Sequence, residues 1–236
     1  MADTKASNVP VVAIDGPGGA GKGTISRLLA ERLGWHLLDS GALYRLVALE
    51  ATHCSVALEA EADVARIAGS LNVRFDALGA EGRVWLHNQD VTQAIRSEAC
   101  GQGASVVAAL PAVRAALVQR QRDFRQMPGL VADGRDMGTV IFPDAGLKVF
   151  LTASVEERAC RRHKQLKDKG IDVSLAALSR DMAARDRRDS ERSVAPLSPG
   201  HDAHVLDTTG MPIREVVDLM SRLVSESFPA ASLQRG

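Results

Sequence analysis

Residues 9–34 read VPVVAIDGPGGAGKGTISRLLAERLG, and this stretch decides the fold class. Val9 to Ile14 is a short apolar run that ends at Asp15-Gly16. A glycine-rich turn follows, and then TISRLLAERLG, in which Ile25, Leu28, Leu29 and Leu33 recur at helical spacing and Gly34 is placed to cap the C-terminus. The order is strand, glycine loop, helix. The loop itself is Gly16, Pro17, Gly18, Gly19, Ala20, Gly21, Lys22, Gly23 and Thr24. Successive backbone N–H groups, unobstructed by Cβ atoms, curl around phosphates at a helix N-terminus. Lys22 adds a positive charge for the β and γ phosphates. A dinucleotide fingerprint would also use Gly16-x-Gly18, Gly21 and an acid near Asp39, but it has no role for the Gly21-Lys22 pair. The loop therefore predicts nucleoside triphosphate binding. Serine or threonine usually follows the lysine directly; here Gly23 stands there and Thr24 comes one step later, so the Mg²⁺ hydroxyl need not be placed as in motor ATPases.

Outward from the loop, Trp35 to Leu38 predicts a second strand. A helix follows from near Ser40, which can cap it, with Leu43, Leu46, Val47 and Leu49 as its apolar face. Residues 58–68 also have a helical pattern. The period then changes: residues 71–75 alternate, Gly79 to Gly82 supplies a turn, residues 83–87 alternate again, and Asn88-Gln89-Asp90 can turn the chain once more. This predicts a small antiparallel insert over about 69–98. Pro111 to Met127 reads as a basic helix, Gly129 to Asp133 as a buried strand, and Gly146 to Thr152 as another. Two charge-dense helices, Glu156 to Lys169 and Leu175 to Arg188, join at Gly170. Ala203 to Leu206 is the last strand. Pro212 to Ser225 is the last helix, with Ile213, Val216, Val217, Met220 and Val224 on one side, and the tail after Phe228 is expected to fray. About five sheet strands interleaved with helices give the βα alternation of a doubly wound α/β fold.

Composition bounds the function. The chain has 236 residues, enough for one sizeable α/β domain with insertions or two small domains. Aromatic residues are only 3%, so the core must be aliphatic. Lys plus Arg and Asp plus Glu are 29 each, a balance that argues against binding nucleic acid by bulk charge. Cys54, Cys100 and Cys160 are too scattered for a disulfide framework or a zinc site and read as reduced thiols. No apolar run is long enough to cross a membrane, and residues 1–8 hold no apolar signal core, so a cytoplasmic protein is expected. His36, His53, His87, His163, His201 and His204 form no metal-binding spacing and read as surface or loop residues; Trp35 and Trp85 read as packing residues.

Arginines stand where a phosphoryl-transfer site needs them. If the acceptor is itself a phosphate, its oxygen is already a good nucleophile, and the protein's work is positioning and charge stabilisation. Arg45 follows Leu38-Asp39-Ser40-Gly41, and Arg135 directly follows the strand ending at Asp133-Gly134. In a doubly wound sheet the strand ends share one crevice, so both are expected to meet Lys22 there. Arg158, Arg161 and Arg162 lie on one helix, and each taken singly reads as a solvated partner of an acidic residue. Arg185, Arg187, Arg188 and Arg192 crowd the next, where RDRRDSER balances its charges almost one for one. That run suits a static salt-bridged helix or, preferably, a mobile lid whose arginines close on phosphates and exclude water. Asp133 is placed to act on Mg²⁺ through water, and Asp136 to offer an acceptor to a base amino group; a carboxylate accepts from the exocyclic amine of cytosine and repels the O4 of uracil, but spacing alone does not choose the base.

These residues resemble the bacterial cytidylate kinases, a family of P-loop nucleoside monophosphate kinases. The resemblance rests on IDGPGGAGKGT at 14–24, WHLLDSGALYR at 35–45, PGLVADGRDMGTVIFPDAGLKVFLTAS at 128–154 and RDRRDSERSVAPL at 185–197, and spans about Val9 to Val224. It implies a P-loop kinase fold: a central five-stranded parallel sheet flanked by helices, a small antiparallel β insert that binds the monophosphate, and a short helical lid. It implies one domain over 1–236, with a core of about 9–68, 99–153 and 193–225, the insert at about 69–98 and the lid at about 154–192. The implied reaction transfers the ATP γ-phosphoryl to CMP or dCMP, with UMP a poorer acceptor. Mg²⁺ travels with ATP, through water near Thr24, Asp39 and Asp133, and the family precedent is a monomer. By the same resemblance Ser105, Arg114 and Asp136 look like the cytosine readers. Arg45, Arg135 and Arg192 look like the clamp on the acceptor phosphate, Arg185 and Asp189 like sugar contacts, and Ser40 and Tyr44 like lining of the pocket. Lys22, Arg135, Arg185 and Arg192 are then the expected catalytic set. The residues alone place Arg185 on a phosphate and give no signal for Ser105. A kinase of UMP, AMP or a non-nucleotide acceptor and a nucleotide-binding regulator are the alternatives.

Overall fold

In a computed structural model of the chain, residues 9–76, 83–168 and 170–229 are described. The expected Gly79–Gly82 turn and the tail beyond residue 229 lie outside the described residues. In chain order the elements are β1 (Val11–Asp15), α1 (Lys22–Leu33), β2 (His36–Asp39), α2 (Ser40–His53), α3 (Glu61–Ser70), β3 (Val73–Asp76), β4 (Arg83–Leu86), β5 (Gln89–Asp90), α4 (Glu98–Val107) and α5 (Pro111–Arg122). They continue with β6 (Leu130–Asp133), β7 (Leu147–Thr152), α6 (Val155–Asp168), α7 (Leu175–Ser190), β8 (His204–Asp207) and α8 (Ile213–Ser227). The chain falls into two compact units: one takes the residues up to Asp39 and from Gln121 onward, the other is Ser40–Arg120.

The first unit is built on a five-stranded parallel sheet in the order β2-β6-β1-β7-β8. Strands β1 and β6 are buried along their whole length, which explains why they are continuous apolar runs and do not alternate. Val12, Ile14, Val131, Val149 and Leu151 of the sheet pack with Ile25 and Leu29 of α1 and with Val216, Val217, Met220 and Val224 of α8. As the composition demanded, this core is aliphatic; at its edge Trp35 meets Phe228 edge to face, ring centroids 5.6 Å apart. Ile213, expected on the buried face of α8, is instead exposed, because it is the first residue of the helix and precedes that face. Helices α6 and α7 share only a small apolar cluster of Ala159, Leu166 and Leu178, with Val173 and Met182 against it.

The second unit holds α2 to α5 and the three-stranded antiparallel sheet β3-β4-β5, the predicted insert. Helix α3 lies slightly later than the pattern suggested. Helix α5 ends at Arg122, short of the expected Met127: the amides of Phe124 and Arg125 bond back only three residues, and Pro128 disfavours helix at the residue before it. Helix α4 has no counterpart in the sequence reading, since Gly101 and Gly103 break its apolar pattern. No single described helix is long and apolar enough to cross a membrane.

Candidate functional site

Strands β2, β6 and β1 are neighbours and end at Asp39, Asp133 and Asp15, with Asp39 paired in register to Asp133. The glycine loop leaves this carboxyl edge of the sheet, where ligands of open α/β sheets bind. Gly16 opens it with φ 144°, and a Cβ there would stand 1.9 Å from the Leu151 carbonyl oxygen, so only glycine fits. Helix α1 then starts at Lys22, so the loop delivers its amides to a helix N-terminus. The Lys22 ammonium is buried, donates to the Pro17 carbonyl (2.9 Å) and stands 3.9 Å from Asp133. Burial, and then the field of Arg135, lowers the Lys22 pKa; burial raises that of Asp133 despite Lys22, with Asp39 adding to the rise.

Four arginines surround the loop: Arg135, Arg158 and Arg185, and Arg161, whose guanidinium lies 3.9 Å from where a Gly21 Cβ would be. The Arg135 guanidinium lies 3.5 Å from where a Gly18 Cβ would be, and the Arg185 side chain 3.8 Å from it. Arg158 is buried at 3% exposure, donates to the Gly18 carbonyl (2.9 Å) and forms a two-pronged pair with Asp186 of α7 at 3.1 and 2.6 Å. Its burial departs from the solvated role expected of a helical arginine; the helix that carries it starts directly after the end of β7, and that proximity to a strand end was the available signal. Arg135 also donates to Asp189 (3.0 Å), whose other oxygen is 3.6 Å from Arg192. Burial opposes charge on Asp189, yet Arg135, Arg192 and Arg185 together hold its carboxyl below the usual range. The charge run 185–192 is thus tied by ion pairs to α6 and to Arg135, two residues beyond β6, as well as within itself.

Asp136 is buried and sits just after Arg135, where the chain enters one wide turn, Met137–Ile141. Asp15 caps that turn: its two carboxylate oxygens accept the N–H groups of Met137 and Gly138, each at 2.8 Å. Sequence reasoning passed over Asp15 except as the end of a strand.

In the second unit the Arg45 guanidinium donates to the Ile95 carbonyl (2.6 Å) and lies against Gly101, where a Cβ would meet it at 3.2 Å. Arg114 is buried, donates to the Ala108 carbonyl (3.1 Å) and lies 5.8 Å from the centre of the Tyr44 ring. Ser105 of α4 is buried with a hydroxyl that has no hydrogen-bond partner among the described residues, and Ser40 is buried at the start of α2. The structure thus places Lys22, Arg135, Asp136, Arg185, Asp189 and Arg192 in one unit and Ser40, Tyr44, Arg45, Ser105 and Arg114 in the other.

For a divalent cation, Asp133 faces Gly23 at 3.5 Å from its absent Cβ, with Asp39 adjacent in register and Thr24 part-buried in the first turn of α1. Two carboxylates and a hydroxyl are hard oxygen donors, and they suit an ion that keeps several waters and is carried by phosphates. Among the described residues no three histidine, cysteine or acidic side chains are grouped to hold a metal directly.

The family description "Cytidylate kinase" matches residues 12–226. The chain belongs to the cytidylate kinase family. A cytidylate kinase of Pseudomonas aeruginosa is 60% identical over 216 residues, 91% of this chain and 94% of that protein. One of Pseudomonas syringae is 58% identical over 219 residues, 92% and 94% of the two chains. Among solved structures, an uncharacterized protein from Eubacterium ventriosum shares the fold at 11% identity and a TM-score of 0.50, covering 92% of this chain and 98% of that one. Membership makes the protein a nucleotide-binding phosphotransferase, and the five-stranded sheet with its antiparallel insert is the P-loop kinase architecture that the resemblance implied.

Proposed function

We propose that the protein transfers the γ-phosphoryl of ATP to CMP or dCMP, giving ADP and CDP or dCDP, with UMP a weaker acceptor. One observation carries the reading: Lys22, Arg135, Arg158 and Arg185 are all held within or against the same glycine loop. That much positive charge at a helix N-terminus suits a chain of phosphates with a second phosphate brought up to it. The loop from Gly16 to Thr24 binds the ATP phosphates through its backbone amides, Pro17 having no N–H to offer, and Lys22 turns from the Pro17 carbonyl towards them. Bound Mg²⁺ neutralises charge on the phosphates, with Thr24, Asp39 and Asp133 placed to hold its waters. Arg45, Arg135 and Arg192 take the acceptor phosphate. Ser105, Arg114 and Asp136 read cytosine, and the unpartnered buried hydroxyl of Ser105 supports that role. Ser40 and Tyr44 line the acceptor pocket, and Asp189 contacts the sugar. For Arg185, its place against Gly18 supports the phosphate contact read from the residues alone over the sugar contact that the resemblance implies.

The protein acts as one catalytic domain over 1–236, and α6 and α7 serve as its lid. The test is a coupled assay of ADP release with ATP and Mg²⁺ against CMP, dCMP, UMP, AMP and no acceptor. Rapid turnover with CMP and dCMP, weaker turnover with UMP and near silence without acceptor is the expected result. Fast turnover with UMP or AMP overturns the base assignment, and acceptor-independent hydrolysis overturns the roles given to the arginines.

A further inference from the structure

Asp15 ends β1, is buried at 6% exposure, and turns both carboxylate oxygens onto the wide turn after Arg135-Asp136. That turn hangs from Asp136, whose carbonyl accepts the amides of Val140 (2.9 Å) and Ile141 (3.2 Å). Asp136 itself has φ −148° and ψ 24°, outside the regular helix and strand regions, so neighbouring contacts must hold it. The amides of Met137 and Gly138 open the turn and have no earlier turn to bond to. We propose that Asp15 is a positioning residue for the acceptor: by clamping these two amides to the end of β1 it sets the place of Arg135 and Asp136 before the acceptor arrives. The proposal rests on the reading of Arg135 and Asp136 as acceptor contacts. Among the described residues the Asp15 carboxylate accepts no hydrogen bond from the glycine loop, so its two bonds act on the acceptor side, while its charge also reaches Lys22 and Asp133.

Asp15→Asn keeps the shape but has one accepting oxygen; its NH₂ faces the second amide, donor against donor. In enzyme whose wild type phosphorylates CMP, the variant is expected to raise KM for CMP about tenfold and to narrow the preference for CMP over UMP, with a smaller change in KM for ATP, since Lys22 loses only the field of the Asp15 charge and no bond. Equal rises for ATP and CMP, or unchanged kinetics in a folded variant, overturn the proposal. A wild type that does not phosphorylate CMP removes the functional reading itself, and the proposal falls with it. If the variant does not fold, hydrogen exchange on the wild type decides. Met137 and Gly138 amides that exchange slowly without CMP support a preset clamp; protection that appears only on adding CMP overturns it.

Discussion

Arg135 makes its most informative contact with Asp189, which it shares with Arg192. One carboxylate holds two arginines of the proposed phosphate clamp, so neither has to be ordered when the acceptor binds. Interactions of this kind act mainly in the transition state. Arg135→Ala is therefore expected to lower kcat/KM for CMP by at least about 100-fold, on the order of 2.7 kcal/mol. Asp136→Ala should cost CMP more than UMP; an equal loss for both would refute base reading by that side chain. Asp15 gives a prediction in pH. Burial raises its pKa from 3.8 to about 6 against the two amide bonds, with Asp136 adding to the rise and Lys22 opposing it; Asp133 and Arg135 feel the same charge. A carboxyl raised on folding binds more protons in the folded state. Its ionisation thus costs nothing below about pH 4 and costs most above about pH 6, on the order of 2–3 kcal/mol. Urea unfolding of wild type and Asp15→Asn across that range should show the difference in stability moving against the wild type as pH rises. A pH-independent difference would show that Asp15 does not titrate there.

At the scale of elements, α6 and α7 share so small an apolar cluster that their pairing depends on the Arg158–Asp186 contact. Arg158 is buried and Asp186 partly exposed. Removing the carboxylate leaves a buried guanidinium with the carbonyls of Ala153 and Gly18 but no counter-charge. Asp186→Ala is expected to destabilise the protein by about 2 kcal/mol, below the 3–5 typical of fully buried pairs because water reaches the partner. A midpoint in urea unchanged from wild type would mean that the apolar cluster alone holds the pair. The same elements show what a sequence can carry. Strands β1 and β6 were legible because burial on both faces leaves continuous apolar runs, α1 because its apolar residues recur at helical spacing, and the glycine loop because its backbone demands are strict. Helix α4 was not, since two glycines interrupt its pattern, and with it went Ser105. The burial of Arg158 and the two hydrogen bonds that Asp15 accepts depend on segments more than a hundred residues away in sequence, which no local period encodes.

For the whole molecule, equal numbers of acidic and basic residues hide an uneven distribution. Lys22, Arg135, Arg158 and Arg185 gather at one loop, while Asp133, Asp186 and Asp189 hold them in place. A chain of zero net charge thus still offers an anion site, with carboxylates already built in to hold its cations. A ligand that binds only the folded chain stabilises it by mass action, by about 2.7 kcal/mol at a hundredfold excess over Kd. For a chain of this size that corresponds to a rise in Tm of roughly 5–10 °C. A non-hydrolysable ATP analogue with Mg²⁺ should produce this rise in the wild type, and Lys22→Ala should lose most of it at the same analogue concentration. Because Lys22 is buried beside Asp133, removing its charge also leaves that carboxylate without its nearest cation, so the variant's ligand-free Tm must be measured alongside. An analogue-induced shift of equal size in both proteins would mean that the triphosphate is held by backbone amides and the surrounding arginines without the lysine.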